Sequence, residues 1–376
     1  MTLINYLTRV HFADGVLEEA LFSELERNQK KRPLVITDHI DLGDENGERF
    51  FAGLPADISL EFFRSVPAIP TEEAANAVAH LYCATERDHL IAFGLGSAID
   101  LAKIARIAIA HDQPLGFFAD AEGGSQRVNK ILPDLYVVPT IVGFGSAVSA
   151  ESHLILETEQ RVLVESAQLI PTVAICDPTL TLNAAPAEIA SVAASAIAQC
   201  LEAFLSRGFN PPADGIALEG LRRGAKNLKT AMTKGDLASR REVMAASLNA
   251  ALAMQKGLGA TYAIGNALYA VSSQTLDGGA VSRLLLPEVL RFNADSAVEK
   301  CEPLGHMLGF SCAGSFADGL ADLLHELPLP NSLSEMGIGD AQIQAASELA
   351  AHDRATANSP RFARAEDILL IMRSVH

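Results

Sequence analysis

His89-Leu90-Ile91-Ala92-Phe93-Gly94-Leu95-Gly96-Ser97-Ala98-Ile99-Asp100-Leu101-Ala102-Lys103 carries the clearest fold signal in the chain. Five mostly apolar residues read as a buried strand, a glycine turn follows, and Ser97 to Ala110 reads as a helix. Outward from it the pattern repeats. Leu34 to Thr37 (LVIT), Ile58 to Phe62 (ISLEF), Leu135 to Pro139 (LYVVP) and Thr172 to Cys176 (TVAIC) read as strands, and Thr71 to Glu86 as a further helix. Strands alternating with helices predict βαβ units around a parallel sheet. From about Pro186 the strand signals stop and Ala/Leu-rich helical segments run to the end. The sequence therefore predicts an α/β domain over residues 1–183 and an all-helical domain over residues 184–376. The first helix of the second half is given Asn183 as its cap, Pro186 in its first turn and Gly208 just past its end.

The glycines of the turn let a backbone approach a pyrophosphate closely, and the start of the helix offers free amides and a positive dipole end. One such turn is a weak signal, because tight turns use glycine for steric reasons alone. A second turn, Pro139-Thr140-Ile141-Val142-Gly143-Phe144-Gly145-Ser146, follows the next strong strand. Asp38 ends the strand LVIT, where a carboxylate accepts hydrogen bonds from ribose hydroxyls and repels a 2′-phosphate. Together these favour a dinucleotide, NAD(H) over NADP(H), with the cleft between the domains as the default ligand site.

The bulk properties narrow the class. With 376 residues, 49% hydrophobic and 20% charged, the chain is long enough for two packed domains and too apolar for disorder. A balance of 29 basic against 46 acidic residues, net −17, repels nucleic acid and anionic membranes. The 5 cysteines are odd in number and never form a CxxC pair, which suggests reduced thiols rather than a disulfide framework. MTLINYLTRV has no basic region leading into an apolar core, so no signal peptide is expected. The apolar run Ile189 to Leu201 lies between Glu188 and Glu202, contains Gln199 and is shorter than a bilayer span. A cytoplasmic protein with a small-molecule substrate and no membrane partner is expected.

Collinear motifs resemble the iron-containing alcohol dehydrogenases, a group that includes lactaldehyde and butanol dehydrogenases and maleylacetate reductases. They are RVHF from Arg9, GLGSAIDLAK, PTIVGFGS, LIPTVAICDPTLT (Leu169 to Thr181), LEAFLS (Leu201 to Ser206), KGLG (Lys256 to Gly259), LLPEVLRFN (Leu285 to Asn293) and the tail NSPRFARAEDILLIMRSV. The resemblance implies a Rossmann-like N-terminal domain and a helical C-terminal domain, the dehydroquinate synthase-like fold. It implies NAD(P) held by Asp38, Gly94, Gly96, Ser97, Asp100, Thr140, Ser146 and Arg161, the last standing where a lysine is usual. It also implies a homodimer, since an edge strand near Arg9 to Phe12 pairs between subunits in many relatives. The family's three successive glycines are broken here by Leu95. Phe144 and Ala147 replace the Thr and Glu of its second turn, and Ile69 replaces a common Asn.

The metal site departs further. Between His153 and His306 the chain has no histidine. Where the resemblance places the family's four ligands, this chain has Ser195, Gln199, Tyr262 and Gly278, and Asn266 stands where another active-site His is usual. A hydroxyl, an amide, a phenol and a glycine do not make a divalent site, so no metal is expected. Asp277 or Glu288 could rebuild an oxygen-only site, although scattered carboxylates are more often solvated.

Without a Lewis acid, a hydroxyl or amide aimed at the carbonyl oxygen must stabilise the charge that develops there. Tyr262 is the first candidate, with Asn266 one helical turn on and Gln199 on a facing helix. Tyr262 either donates to that oxygen or fills the volume of the missing ion, and Ser195 and Gln199 either serve the substrate or satisfy each other. Arg161 or Arg283 could hold a substrate carboxylate. Two functions follow: a metal-independent NAD(P)-dependent oxidoreductase of a small alcohol or aldehyde, ketone or oxoacid, or a non-catalytic paralogue serving as a nucleotide-binding or assembly protein.

Overall fold

The computed structural model describes residues 8–38, 43–141, 145–233, 235–310 and 315–376. Val142, Gly143 and Phe144 of the second glycine turn, Cys312, and residues 1–7 lie outside them. Tyr6–Asn183 and Ala184–His376 form two compact units.

The first unit contains β1 (Arg9–Phe12), α1 (Leu17–Asn28), β2 (Pro33–Ile36), α2 (Glu45–Ala52), β3 (Glu61–Phe63), α3 (Glu72–Ala84), β4 (His89–Gly94), α4 (Gly96–Ala110), β5 (Leu135–Pro139), β6 (Glu151–Ile155), β7 (Arg161–Glu165) and β8 (Val173–Cys176). Six of these strands form a sheet in the order β1-β8-β5-β4-β2-β3, every pair parallel. The predicted parallel sheet is present. The strand expected over Ile58 to Phe62 is only the short edge strand β3, and the antiparallel β6–β7 hairpin, absent from the sequence reading, follows the second glycine turn. At the opposite edge β1 pairs with β8 of the same chain, Arg9 opposite Val173 and Phe12 opposite Cys176.

Strand alternation builds the core. Val35, Ile91, Phe93, Tyr136, Val138, Val173 and Ile175 pack with Leu17, Leu21 and Leu25 of α1 and with Phe50 of α2. Phe50 stacks on Phe93 at 4.8 Å between ring centroids. The alternate residues Leu34, Ile36, Leu90, Ala92, Leu135 and Val137 are buried as completely, with α4 lying along β4 and β5. Asp177 explains the motif after β8. Its fully buried carboxylate accepts from the amides of Gly15 (2.9 Å), Leu17 (3.2 Å) and Thr179 (3.0 Å) and pairs with Arg49 (2.7 Å), tying the β8 end to the start of α1.

After β2 the chain moves outward to β3, and after β4 it moves the other way to β5. The reversal lies between the carboxyl ends of β2 and β4, the place where open parallel sheets take ligands.

All elements named in the second unit are helices: α5 (Pro186–Leu205), α6 (Pro211–Thr233), α7 (Leu237–Ala253), α8 (Ala260–Val271), α9 (Gly278–Leu308), α10 (Phe316–His325), α11 (Asp340–His352), α12 (Arg354–Asn358) and α13 (Ala365–Arg373). Helix α5 packs against α6, α7 and α9. A Cβ on Gly220 of α6 would lie 2.6 Å from Cys200 Sγ, so glycine sets the close approach of α6 to α5. The cap of α5 is Ala185, not Asn183. The Glu188 carboxylate accepts from the Ala185 amide (2.7 Å) and does the work assigned to an asparagine. The helix is 20 residues, long and apolar enough to cross a bilayer, so length does not separate the alternatives; burial does, since 83% of its apolar window lies inside the unit.

Candidate active site

At the reversal point Asp38, just beyond β2, reaches over the start of α4. Both its carboxylate oxygens accept from the Leu95 amide at 3.1 Å, and Ser97 Oγ donates to it at 3.1 Å. Leu95 occupies the N-cap position of α4 with no side-chain bond of its own, so Asp38 caps that helix from another strand. Gly94 permits this. Its φ of +148° is one that L side chains rarely adopt, and a Cβ there would sit 2.0 Å from Asp38 Oδ1. Thr140 joins the second turn to the first, its amide donating to Gly94 O at 2.9 Å.

Below this rim Asp100 lies beside Lys103, a buried residue to which the sequence reading gave no role. The fully buried Lys103 ammonium donates to Ser149 Oγ (2.9 Å) and Glu151 O (3.1 Å) and lies 3.6 Å from Asp100 Oδ1. Burial pushes the Asp100 carboxyl up and the Lys103 ammonium down, against the Coulomb attraction between them; the Ser146 hydroxyl hydrogen-bonds Asp100. Asp100 and Ser146, predicted separately, thus meet, and α4 is fastened to the second turn and to the root of the β6–β7 hairpin. Arg161 lies at the loop end of that hairpin opposite Ile155, about 13 Å by strand rise from the root. There Ile155 bonds Pro70 O (2.9 Å) beside Thr71, the cap of α3. Burial, with Arg161 adding repulsion, lowers the His153 imidazole to about 4.

In the helical unit, α5 carries Ser195 and Gln199 one turn apart, both buried, and Glu202 close behind. The Glu202 carboxylate accepts from the amides of Gly259 (3.0 Å), Thr261 (2.6 Å) and Tyr262 (3.1 Å), holding the start of α8. Tyr262 is partly buried and packs against the cluster of Ala203, Ala217, Ala253 and Leu258. Asn266 follows one turn later. Ser195 Oγ and Asn266 Nδ2 are buried with no hydrogen-bond partner among the described residues, a condition that costs free energy unless something else satisfies them.

The donor set does not fit a divalent metal. Gly278 starts α9, and a Cβ on the next residue, Gly279, would lie 2.2 Å from Ser191 O, so glycine backbone meets α5 there. The carboxylates that might rebuild a site are engaged elsewhere. Asp277 caps α9 through the Ala280 amide (3.0 Å) and accepts from Ser191 Oγ (2.6 Å), while Glu288 pairs with Arg291, itself bonded to Asp318. Among the described residues no three His, Cys, Asp or Glu side chains gather in a ligating group. Arg283 is not available to a substrate carboxylate. Its buried guanidinium donates to the carbonyls of Leu324, His325, Leu329 and Pro330 and to Asn331 Oδ1.

Solved alcohol dehydrogenases share this architecture. The enzyme from Oenococcus oeni superposes with a TM-score of 0.90 at 24% identity over 100% of both chains. A sulfoacetaldehyde reductase from Bifidobacterium kashiwanohense, in complex with NAD+, does so with a TM-score of 0.87 at 20% identity, covering 100% of this chain and 98% of that one. The chain belongs to the iron-containing alcohol dehydrogenase family: the model of that name matches residues 8–178, and the model of the family's C-terminal part matches residues 189–376. Among curated relatives, the 4-hydroxybutyrate dehydrogenase of Cupriavidus necator is 34% identical over 98% of each chain. The 1,3-propanediol dehydrogenase of Klebsiella pneumoniae is 27% identical over 85% of this chain and 84% of its own. Family membership makes this an oxidoreductase of the alcohol dehydrogenase kind.

Proposed function

We propose that this chain interconverts a small alcohol and its aldehyde with NAD(H) and without a metal ion, an ω-hydroxy acid of the 4-hydroxybutyrate type being the first substrate to test. The observation that carries the reading is two buried donors without a hydrogen-bond partner among the described residues, Ser195 Oγ on α5 and Asn266 Nδ2 on α8. Such groups suit a substrate oxygen better than a cation. The substrate class is drawn from the 34% identical relative. Asp38, with lone pairs beyond those it gives to Leu95 and Ser97, supports NAD(H) over NADP(H).

The nicotinamide, when bound, supplies or accepts the hydride. In the reductive direction Tyr262 Oη donates to the carbonyl oxygen, and as negative charge develops there its proton passes to that oxygen to give the alcohol. The phenolate recovers its proton from solvent. Asn266 Nδ2 and Ser195 Oγ donate to the same oxygen or to a neighbouring polar group of the substrate. The test is titration with NADH and NADPH, followed by turnover of 4-oxobutanoate and other short aldehydes after treatment with chelator. NADH binding with chelator-resistant turnover supports the reading. Turnover abolished by chelator and restored by metal overturns metal independence, and binding of neither nucleotide supports the non-catalytic alternative.

A further inference from the structure

The KGLG segment is a clamped turn, and its clamp sits directly behind Tyr262. On one side, Lys256 Nζ donates to Phe204 O at the end of α5 (2.9 Å) and pairs with Asp214 of α6. On another, Asn358 Nδ2 donates to Leu258 O (3.1 Å). Gly257 has φ +99°, and a Cβ there would lie 2.3 Å from Asn358 Nδ2. Gly259 is the N-cap of α8 but has no side chain to do the capping. Glu202 supplies the missing acceptor from α5, and a Cβ on Gly259 would lie 2.9 Å from its Oε1.

We propose that Glu202 is a positioning residue for the reaction: it fixes the first turn of α8 through the Gly259, Thr261 and Tyr262 amides and so aims the Tyr262 side chain. This rests on the catalytic reading of Tyr262 given above. A buried carboxyl group held by three backbone donors is a rigid strut, because any movement of the turn breaks hydrogen bonds inside a medium that cannot replace them. Glutamine at the same place keeps the volume but turns an N–H donor toward N–H donors.

The test is a double-mutant cycle on the full chain with Glu202→Gln and Tyr262→Phe, reading kcat, KM, NADH affinity and amide exchange at Gly259, Thr261 and Tyr262. The expected result is a fall in kcat of about tenfold or more in Glu202→Gln, with faster exchange at those amides, NADH affinity unchanged, and less than about a twofold further effect in the Tyr262→Phe background. An equal loss in both backgrounds, or full turnover in Glu202→Gln, overturns the proposal while leaving Tyr262 in place. Full turnover in Tyr262→Phe, or none by the wild-type chain on any aldehyde, overturns the underlying reading and this proposal with it. Should Glu202→Gln fail to fold, Gly259→Ala, which presses on the same carboxylate oxygen, replaces it in the cycle with the same expected outcomes.

Discussion

Tyr262 and Asp38 carry different parts of the proposed chemistry, and single substitutions separate them. Tyr262→Phe removes a donor that matters while charge builds on the substrate oxygen. It should lower kcat about a hundredfold or more and leave NADH affinity unchanged, as steady-state rates and a fluorescence titration would show. Asp38→Asn keeps an oxygen that can accept from the Leu95 amide but loses the charge that repels a 2′-phosphate. The ratio of NADPH to NADH affinity should rise by about tenfold or more, and an unchanged ratio would mean that Asp38 serves only as the cap of α4. At this scale the sequence was partly legible. Asp38 could be singled out from its place after LVIT, but its bond to Leu95 depends on β2 lying beside β4. Lys103 and Glu202 stood inside quoted motifs, and nothing local marks a charged residue as buried rather than solvated.

The glycine turn before α4 is an element whose shape follows from one backbone angle. Gly94 at φ +148° has Asp38 pressed against the space a Cβ would fill, so Gly94→Ala must both strain the backbone and push the cap aside. A loss of about 1–3 kcal/mol in urea unfolding is expected, with NADH affinity weakened in the same variant. Retention of both would show that the turn relaxes freely. The elements most readable from sequence were those with long apolar runs or strong caps, such as β4, β5 and α3, whose Thr71 side chain accepts from the Ala74 amide. The β6–β7 hairpin escaped because its strands mix Glu, Ser, His and Arg with aliphatic residues, and only pairing across the hairpin makes them strands.

For the whole molecule, two measurements follow from what is buried. Elemental analysis of the purified chain should find well under one iron or zinc per molecule after mild chelation, since Ser195, Gln199, Tyr262 and Gly278 offer neither charge nor imidazole. About one retained metal would overturn this. Acid should destabilise the chain in two stages. The His153 imidazole, lowered to about 4, stays neutral when folded while the unfolded chain takes up its proton near the ordinary value of 6.5, so stability falls as pH drops from 6.5 toward about 4. The Asp88 and Asp177 carboxyls are held below their ordinary 3.8 although burial opposes this, by the bonds from His89 and the Lys31 and Arg32 amides in one case and from Thr179, Arg49 and Gly15 in the other. Their contribution is present above the unfolded value and lost below it. Denaturation midpoints at about pH 7 and about pH 5 should differ less in His153→Gln than in the wild type, and an unchanged difference would exclude His153 as the first-stage group.

Sequence alone was enough for the kind of fold, the alternation of its main strands and helices, and the lack of any histidine between His153 and His306. Apolar periodicity, glycine turns and the histidine inventory are local properties that need no partner to be read. The tertiary structure decided what the charged groups do. It commits Asp277 to capping α9 and Arg283 to a set of carbonyls, sets Asp38 over the start of α4, and buries α5 instead of leaving it to a bilayer. Those outcomes depend on which distant segments pack together, because the free energy of a buried charge or donor is set by the partner that packing brings to it.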